Sequence, residues 1–185
     1  MNAKQIIKKL RDGNRRFVKG ESISHNFIEE RKSVLEDQKP IATILTCSDS
    51  RVIPEYIFDA KIGELFVVRT AGNIADIAVL GSIEYGTEHL NTPILLILGH
   101  EKCGAVTAAC LGGGAHGNIE YILDFIEPAC KQTLGDVEKA IDINLELVKK
   151  EILEKSNIVK ALVEKEELKI IKAKYLLSTG EVVFY

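Results

Sequence analysis

Long apolar segments are missing from this sequence. Charged side chains, among them Lys4, Lys8 and Arg11, interrupt residues 1–20, and no later stretch reaches the length of a membrane-spanning helix. A spanning helix needs about 20 mostly apolar residues, and a signal peptide needs a continuous apolar segment. The sequence therefore predicts neither of them.

A large excess of charge of one sign is also missing. The formal net charge of -3 over 185 residues gives no long-range attraction toward nucleic acid or an acidic membrane surface. Small neutral or weakly charged molecules stay open as ligands. The chain is 46% hydrophobic, which is enough to bury one core, and no linker is visible. We therefore predict a single domain, 1–185, with an N-terminal helical arm at about 1–35.

Cysteine is scarce, and the four residues are not spaced like the dense frameworks that cross-link small secreted domains. A reducing compartment fits this usage, so we expect a cytoplasmic protein. Cys47 and Cys103 have polar or chargeable neighbours, as metal ligands and nucleophiles do. Cys110 and Cys130 lack such neighbours, and the surroundings of Cys110 predict a small core residue. The absence of a Cys-x-x-Cys pair disfavours thiol redox chemistry.

Strand-like and helix-like segments alternate in the first half of the chain. Nearly continuous apolar runs at 41–46, 65–68 and 94–98 predict strands that are buried on both faces. Segments 54–60 and 77–90, which lie between the strands, have helical composition and period. This alternation indicates an α/β fold with a mainly parallel sheet flanked by helices, which we expect in the order 2-1-3-4.

The second half predicts helices followed by a hairpin. Three helical segments are expected, at 118–133, 137–155 and 158–165. Gly112-Gly113-Gly114 precedes them as an expected flexible connection. Two β-prone runs, 168–177 and 181–185, are joined by Ser178-Thr179-Gly180, which has the composition of a tight turn. The fifth strand should therefore be antiparallel.

Chemically versatile side chains follow two of the buried strands. Cys47-Ser48-Asp49-Ser50-Arg51 begins where strand 1 ends, and His100-Glu101-Lys102-Cys103-Gly104 begins where strand 3 ends. Ligands of open parallel sheets bind at this edge, where the winding direction reverses. We therefore expect Cys47 and His100 to meet there. Ala71-Gly72-Asn73 follows strand 2 at the same edge, as a simple turn or as one that lines a pocket.

Two thiolates and one imidazole form a catalytic zinc set, because three protein ligands leave the fourth tetrahedral position to water or substrate. We expect these ligands to be Cys47, His100 and Cys103. A structural zinc would need a fourth Cys or His. Cys110 and His116 are the candidates by spacing, but the open site is favoured.

Asp49 and Arg51 extend this hypothesis. A carboxylate two residues from a zinc thiolate could occupy the fourth position itself, unless another group binds it. The guanidinium of Arg51 offers a bidentate match for a carboxylate. It would hold Asp49 off the metal and leave an oxygen to accept a hydrogen bond from zinc-bound water. The alternative is an Asp that caps a helix beside a solvated Arg.

The segments 47–51 and 100–104 together resemble the β-class carbonic anhydrases. The resemblance extends to 13–17, 38–40, 63–69 and the terminal hairpin, and so covers nearly the whole chain. It implies a mainly parallel sheet, an obligate homodimer that often pairs into larger assemblies such as a homotetramer, and one Zn2+ per chain. It also implies reversible hydration of carbon dioxide to bicarbonate by attack of zinc-bound hydroxide.

The resemblance also assigns roles to individual residues. It makes Cys47, His100 and Cys103 the metal ligands and Asp49 with Arg51 the catalytic pair. The implied substrate-binding residues are Gln38, which arrives from the neighbouring subunit, with Phe66, Tyr85 and Gly104. For Phe66 and Tyr85, ordinary core aromatics are an equal alternative.

One departure from the family concerns a regulatory bicarbonate site. Some members carry a tryptophan shortly before the first zinc cysteine, whereas this chain has no Trp and carries Ile44 in that place. Arg69 is present without that partner. We therefore expect bicarbonate inhibition of that type to be weak or absent.

Two other functions stay open. Relatives that hydrolyse carbon disulfide or carbonyl sulfide use a similar zinc site. A zinc-stabilised binding module without catalysis would need the ligands but not Asp49 and Arg51.

Overall fold

The computed structural model describes residues 1–112 and 116–185. Its strands are β1 (Ala42–Cys47), β2 (Leu65–Thr70), β3 (Ile94–His100), β4 (Lys169–Tyr175) and β5 (Val182–Phe184). Its helices are α1 (Ala3–Lys19), α2 (Phe27–Ser33), α3 (Pro54–Ile57), α4 (Ile77–Glu84), α5 (Gly104–Leu111), α6 (Asn118–Gln132), α7 (Val137–Lys155) and α8 (Asn157–Glu164). Of the predicted glycine connection, Gly113 and Gly114 lie outside the described residues.

The five strands form one sheet in the order β2-β1-β3-β4-β5. The first four are parallel to one another, and β5 pairs antiparallel with β4. The predicted α/β class, the strand order and the antiparallel last strand are therefore confirmed. β1 and β3 are buried along their whole length, as their continuous apolar composition indicates.

Helices cover both faces of the sheet. On one face, Ile6 and Leu10 of α1 pack in a cluster with Ile44 and Leu96. On the other face, α4, α7 and α8 pack against the alternate strand residues, such as Leu95. Successive strand side chains point to opposite faces, so one apolar run supplies both layers. None of the helices in the described residues is long and apolar enough to cross a membrane.

The helical arm predicted at about 1–35 contains α1 and α2, and α1 lies tightly on the domain. A Cβ on Gly13 would come within 1.8 Å of the carbonyl oxygen of Phe58, so no larger residue fits there without a shift. The side chain of Asn14 is buried between α1 and the terminal hairpin. Its Nδ2 donates to the carbonyl of Gly180 at 2.8 Å, and its Oδ1 accepts from the amide of Val182 at 2.9 Å.

One predicted helix ends earlier than expected, and another changes its type of helical turn before its end. The segment 54–60 is helical only from Pro54 to Ile57, and Asp59 takes a left-handed φ of 48°, which a helix cannot continue through. The segment 77–90 is α-helical as far as Glu84 and continues as a π-helical turn, Tyr85–His89. Hydrophobic period does not distinguish these two kinds of helical turn.

The prediction for Cys110 is wrong. Cys110 on α5 is bonded to Cys130 on α6 in a disulfide, so it is not a free thiol in the core. The cysteines are 20 residues apart in the chain and are joined because the two helices pack side by side. A cytoplasmic location was expected partly from cysteine usage. It stays a prediction, and cysteine usage no longer supports it, because disulfides are rare in reducing compartments.

We expect replacement of both residues, Cys110→Ala with Cys130→Ala, to lower the free energy of unfolding by about 3 kcal/mol, because a cross-link of this loop length restricts the unfolded chain. Urea unfolding of the metal-loaded protein measures the change. Reductant should destabilise the parent protein and leave the double variant unchanged. A parent protein that is indifferent to reductant would contradict the disulfide.

Candidate metal centre

The predicted ligands come together at the carboxyl edge of the sheet. β1 and β3 are neighbours in parallel register, with Thr46 opposite Leu98, so Cys47 and His100 end adjacent strands. Cys103 follows a sharp turn in which Lys102 takes a left-handed φ of 53°. It lies directly before α5. The sheet and this turn thus bring Cys47 close to His100 and Cys103, which lie more than fifty positions later in the chain.

Other elements hold the turn between His100 and Cys103 in place. The amide of Glu101 donates to the carbonyl of Tyr175 at 2.9 Å, and its carboxylate accepts from the amide of Ser178 at 2.9 Å. The amide of Lys102 donates to Oε1 of Glu138 on α7 at 3.1 Å. The terminal hairpin and α7 therefore fix the two residues that separate the ligands.

The three ligand side chains form a compact buried group. Sγ of Cys47, a ring nitrogen of His100 and Sγ of Cys103 all lie within 4.8 Å of one another. Nδ1 of His100 lies 2.9 Å from the carbonyl of Glu101, which can only accept, so Nδ1 carries the proton. Nε2 is buried and has no partner among the described residues. A free imidazole nitrogen facing two sulfurs fits a zinc ion.

The two thiols influence each other's protonation. A hydrogen bond from Cys103 is the main cause that lowers the pKa of Cys47, with smaller contributions from His100 and the amide of Gly72. The same interaction, together with burial, raises the pKa of Cys103. The pair alone therefore favours one negative charge. A divalent cation would be needed to hold both as thiolates, which is a further reason that the site fits a metal.

Asp49 and Arg51 form the predicted bidentate pair. Nε of Arg51 donates to Oδ1 of Asp49 at 2.9 Å, and Nη2 donates to Oδ2 at 2.7 Å. The amide of Arg51 also donates to Oδ1, at 2.9 Å. These bonds, chiefly those from the guanidinium, hold the pKa of Asp49 well below its usual range. Oδ2 lies 3.9 Å from Nε2 of His100, so an ionised carboxylate borders the ligand group.

The helix-cap alternative for Asp49 is wrong. The next helix, α3, begins at Pro54 after Ile53, and no side chain caps it. The carboxylate of Asp49 binds Arg51 instead. The alternatives for a fourth ligand also find no support. Cys110 is in the disulfide, and His116 is exposed and outside the ligand group found among the described residues.

Arg69 and Gly72, both noted from the sequence, make hydrogen bonds to the site that sequence reasoning did not predict. Arg69 of β2 donates from Nε to the carbonyl of Cys47 at 3.2 Å and from Nη2 to the carbonyl of Asp49 at 2.8 Å. The amide of Gly72 donates to Sγ of Cys47 at 3.3 Å. The position of Arg69 at the end of a strand beside Cys47 was the available signal, since Thr46 pairs with Arg69. Backbone donors leave no such trace in a sequence.

The expected substrate-binding residues are dispersed. Gly104 is exposed directly after Cys103, and Gln38 is exposed ahead of β1. Phe66 pairs with Thr43, whereas Cys47 pairs with Thr70, four residues further along β2. Phe66 therefore lies roughly 13 Å from the Cys47 end of the strand pair. Tyr85 lies beside Phe66, with ring centroids 5.8 Å apart, and is 44% exposed. The structure therefore does not bring this aromatic pair to the ligands of its own chain, and their role stays a prediction.

Comparisons with known proteins agree with this geometry. A family model described as carbonic anhydrase matches residues 42–182. Carbonic anhydrase 2 of Mycobacterium tuberculosis H37Rv is 45% identical over 130 residues, which cover 69% of this chain and 62% of that protein. The match thus spans about three fifths of that relative's length.

Solved structures share the fold. The β-carbonic anhydrase CcaA has a TM-score of 0.77 at 24% identity, over 98% of this chain and 88% of CcaA. A structure from work on two tetrameric β-carbonic anhydrases of Sordaria macrospora has a TM-score of 0.74 at 22% identity, over 83% of this chain and 84% of that one. At these identities the likeness shows the fold alone. With the family match and the Cys-His-Cys group, it follows that the chain belongs to the carbonic anhydrase family, in its β class.

Proposed function

We propose that this protein is a zinc-dependent enzyme that hydrates carbon dioxide reversibly to bicarbonate and a proton. The observation that carries the proposal is a buried three-donor group next to a carboxylate that Arg51 holds by two hydrogen bonds. Three donors leave a tetrahedral zinc one position for water or substrate. The family and the name of the Mycobacterium tuberculosis relative support the same reaction.

Each residue of the site has a distinct task in this proposal. Cys47, His100 and Cys103 would hold zinc, which when bound acidifies water and supplies hydroxide as a nucleophile near neutral pH. Asp49 is ionised, so its Oδ2 can accept a hydrogen bond from the attacking water and orient it. Arg51 donates a hydrogen bond to each oxygen of Asp49 and would thereby keep this carboxylate from becoming a fourth zinc ligand.

A homodimer or homotetramer completes the proposed site. Gln38 is exposed, and Phe66 with Tyr85 lies at the far end of β2 from the ligands. Residues so placed can line a substrate pocket when a second copy of the chain brings them to the metal centre of the first. The tetrameric enzymes of Sordaria macrospora have the same fold, which is compatible with such an assembly.

Two alternatives use the same residues. A hydrolase of carbon disulfide or carbonyl sulfide would keep the ligands, since substrate access rather than ligand identity would separate it from a carbonic anhydrase. A zinc-stabilised module without catalysis would have no use for a carboxylate held beside the ligands. The intact Asp49–Arg51 pair therefore favours an enzyme.

We expect Asp49→Ala to keep its zinc and to lose activity on the order of 100-fold, a size typical of a positioned acid–base group. Stopped-flow hydration of carbon dioxide, with metal analysis of the same samples, measures both quantities. Asp12→Ala is the matched control, because it removes a carboxylate from an exposed ion pair on α1. Full activity in Asp49→Ala, or active protein without zinc, would refute the mechanism.

Gln38→Ala should lower kcat/KM roughly 5- to 10-fold, as expected for the loss of one hydrogen bond to substrate. A mixed dimer of Gln38→Ala and Asp49→Ala chains tests where this glutamine acts. If Gln38 serves the neighbouring subunit, one of the two sites is intact, and about half of the parent activity returns. If Gln38 serves its own chain, neither site is intact and activity stays low.

The ratio of turnover on carbon dioxide to turnover on carbon disulfide separates the two enzymatic functions. We expect carbon dioxide to be the better substrate by orders of magnitude. The same purified, zinc-analysed sample should be used for both assays, so that metal content cannot explain the difference. Preferential release of sulfide from carbon disulfide would establish the hydrolase instead.

A further inference from the structure

A buried amide on α7 contacts the backbone beside the metal centre. Asn144 is 2% exposed and lies on a helix face that is otherwise apolar, with Ile141, Leu145 and Val148 as its buried neighbours. Burial of an amide costs free energy unless the group finds hydrogen-bond partners. Nδ2 of Asn144 donates to the carbonyl of Gly72 at 3.1 Å. An apolar side chain would serve simple packing better, so this contact needs a separate reason.

The contacted residue, Gly72, is tightly constrained. Its φ of +67° lies in the left-handed region, and Asn73 after it also has a positive φ, of 46°. A Cβ on Gly72 would lie 2.5 Å from Cδ1 of Ile126 on α6 and 3.2 Å from Cβ of Ala105 on α5. Asn144 on α7 adds a hydrogen bond to the carbonyl of Gly72. Three helices thus fix one glycine in a turn that follows β2.

The amide of the same glycine donates to Sγ of Cys47 at 3.3 Å. A hydrogen bond to a thiolate draws electron density away from sulfur. Partners that bind a metal ligand in this way orient the ligand and tune the metal. This matters most where two thiolates already reduce the effective charge of the ion. A path of two hydrogen bonds therefore connects α7 with the first ligand.

We propose that Asn144 is a positioning residue for the metal centre. It holds Gly72 so that the glycine amide stays on Sγ of Cys47, and it thereby sets how much charge this thiolate gives to zinc. The inference rests on the proposed zinc site. Oδ1 of Asn144 has no partner in the described part of the chain, so the donation to Gly72 is the polar contact that the structure assigns to this amide.

Asn144→Leu tests the proposal, because leucine has a similar size and cannot donate. We expect zinc affinity, measured by competition with a chelator, to fall about 10-fold, within the range for partners of metal ligands. In cobalt(II)-substituted protein the sulfur-to-cobalt charge-transfer band should move to lower energy, because a thiolate without its hydrogen bond is more electron-rich. Val148→Ala is the matched control, since it loosens the same face of α7 without touching Gly72.

Parent-like affinity and charge-transfer energy in a folded Asn144→Leu protein would overturn the proposal, as would equal shifts in Val148→Ala. A parent protein that binds no zinc would instead refute the proposed metal site. If the variant fails to fold, the hydrogen bond from Gly72 to Cys47 can be tested by NMR in parent protein loaded with an NMR-active cadmium isotope. Scalar coupling between cadmium and the amide proton of Gly72 is expected, and its absence would refute the link through Cys47.

Discussion

The parallel pairing of β1 with β3 is the interaction on which the site depends. It places Cys47 and His100 at the ends of neighbouring strands, although they are separated by fifty-three positions in the sequence. Both strands are buried throughout, so a slip in register would disrupt the packing in both apolar layers and shift Cys47 relative to His100. The hydrophobic packing that stabilises the sheet therefore also fixes the spacing of Cys47 and His100.

The remaining parts of the site are positioned by shorter-range contacts. Asp49 and Arg51 are two residues apart and pair through three hydrogen bonds, and Arg69 secures the carbonyls on either side of Ser48. Much of the electrostatic arrangement thus comes from the segment after β1 and from the strand beside it. The long-range framework brings the proposed ligands together, and the local contacts hold the carboxylate of Asp49 on Arg51.

Sequence alone predicted the sheet order, the meeting of Cys47, His100 and Cys103, and the Asp49–Arg51 pair, because these features follow directly from strand ends and short motifs. It did not reveal the bond between Asn144 and Gly72, which are 72 residues apart in helices and turns of ordinary composition. It also missed the disulfide, since the packing of α5 on α6 decides which cysteines meet. The position of Phe66 far from the ligands became evident only from strand register.

The hold of the terminal hairpin on Glu101 has a consequence for biosynthesis. All three ligands are translated before Ser178, whose amide binds the carboxylate of Glu101, and before Tyr175, whose carbonyl accepts from the Glu101 amide. A nascent chain therefore contains Cys47, His100 and Cys103 well before the terminal hairpin can form its hydrogen bonds to the turn between His100 and Cys103. If this group binds zinc as proposed, the contacts that fix the turn between its last two donors form only after the C-terminal residues have been synthesised.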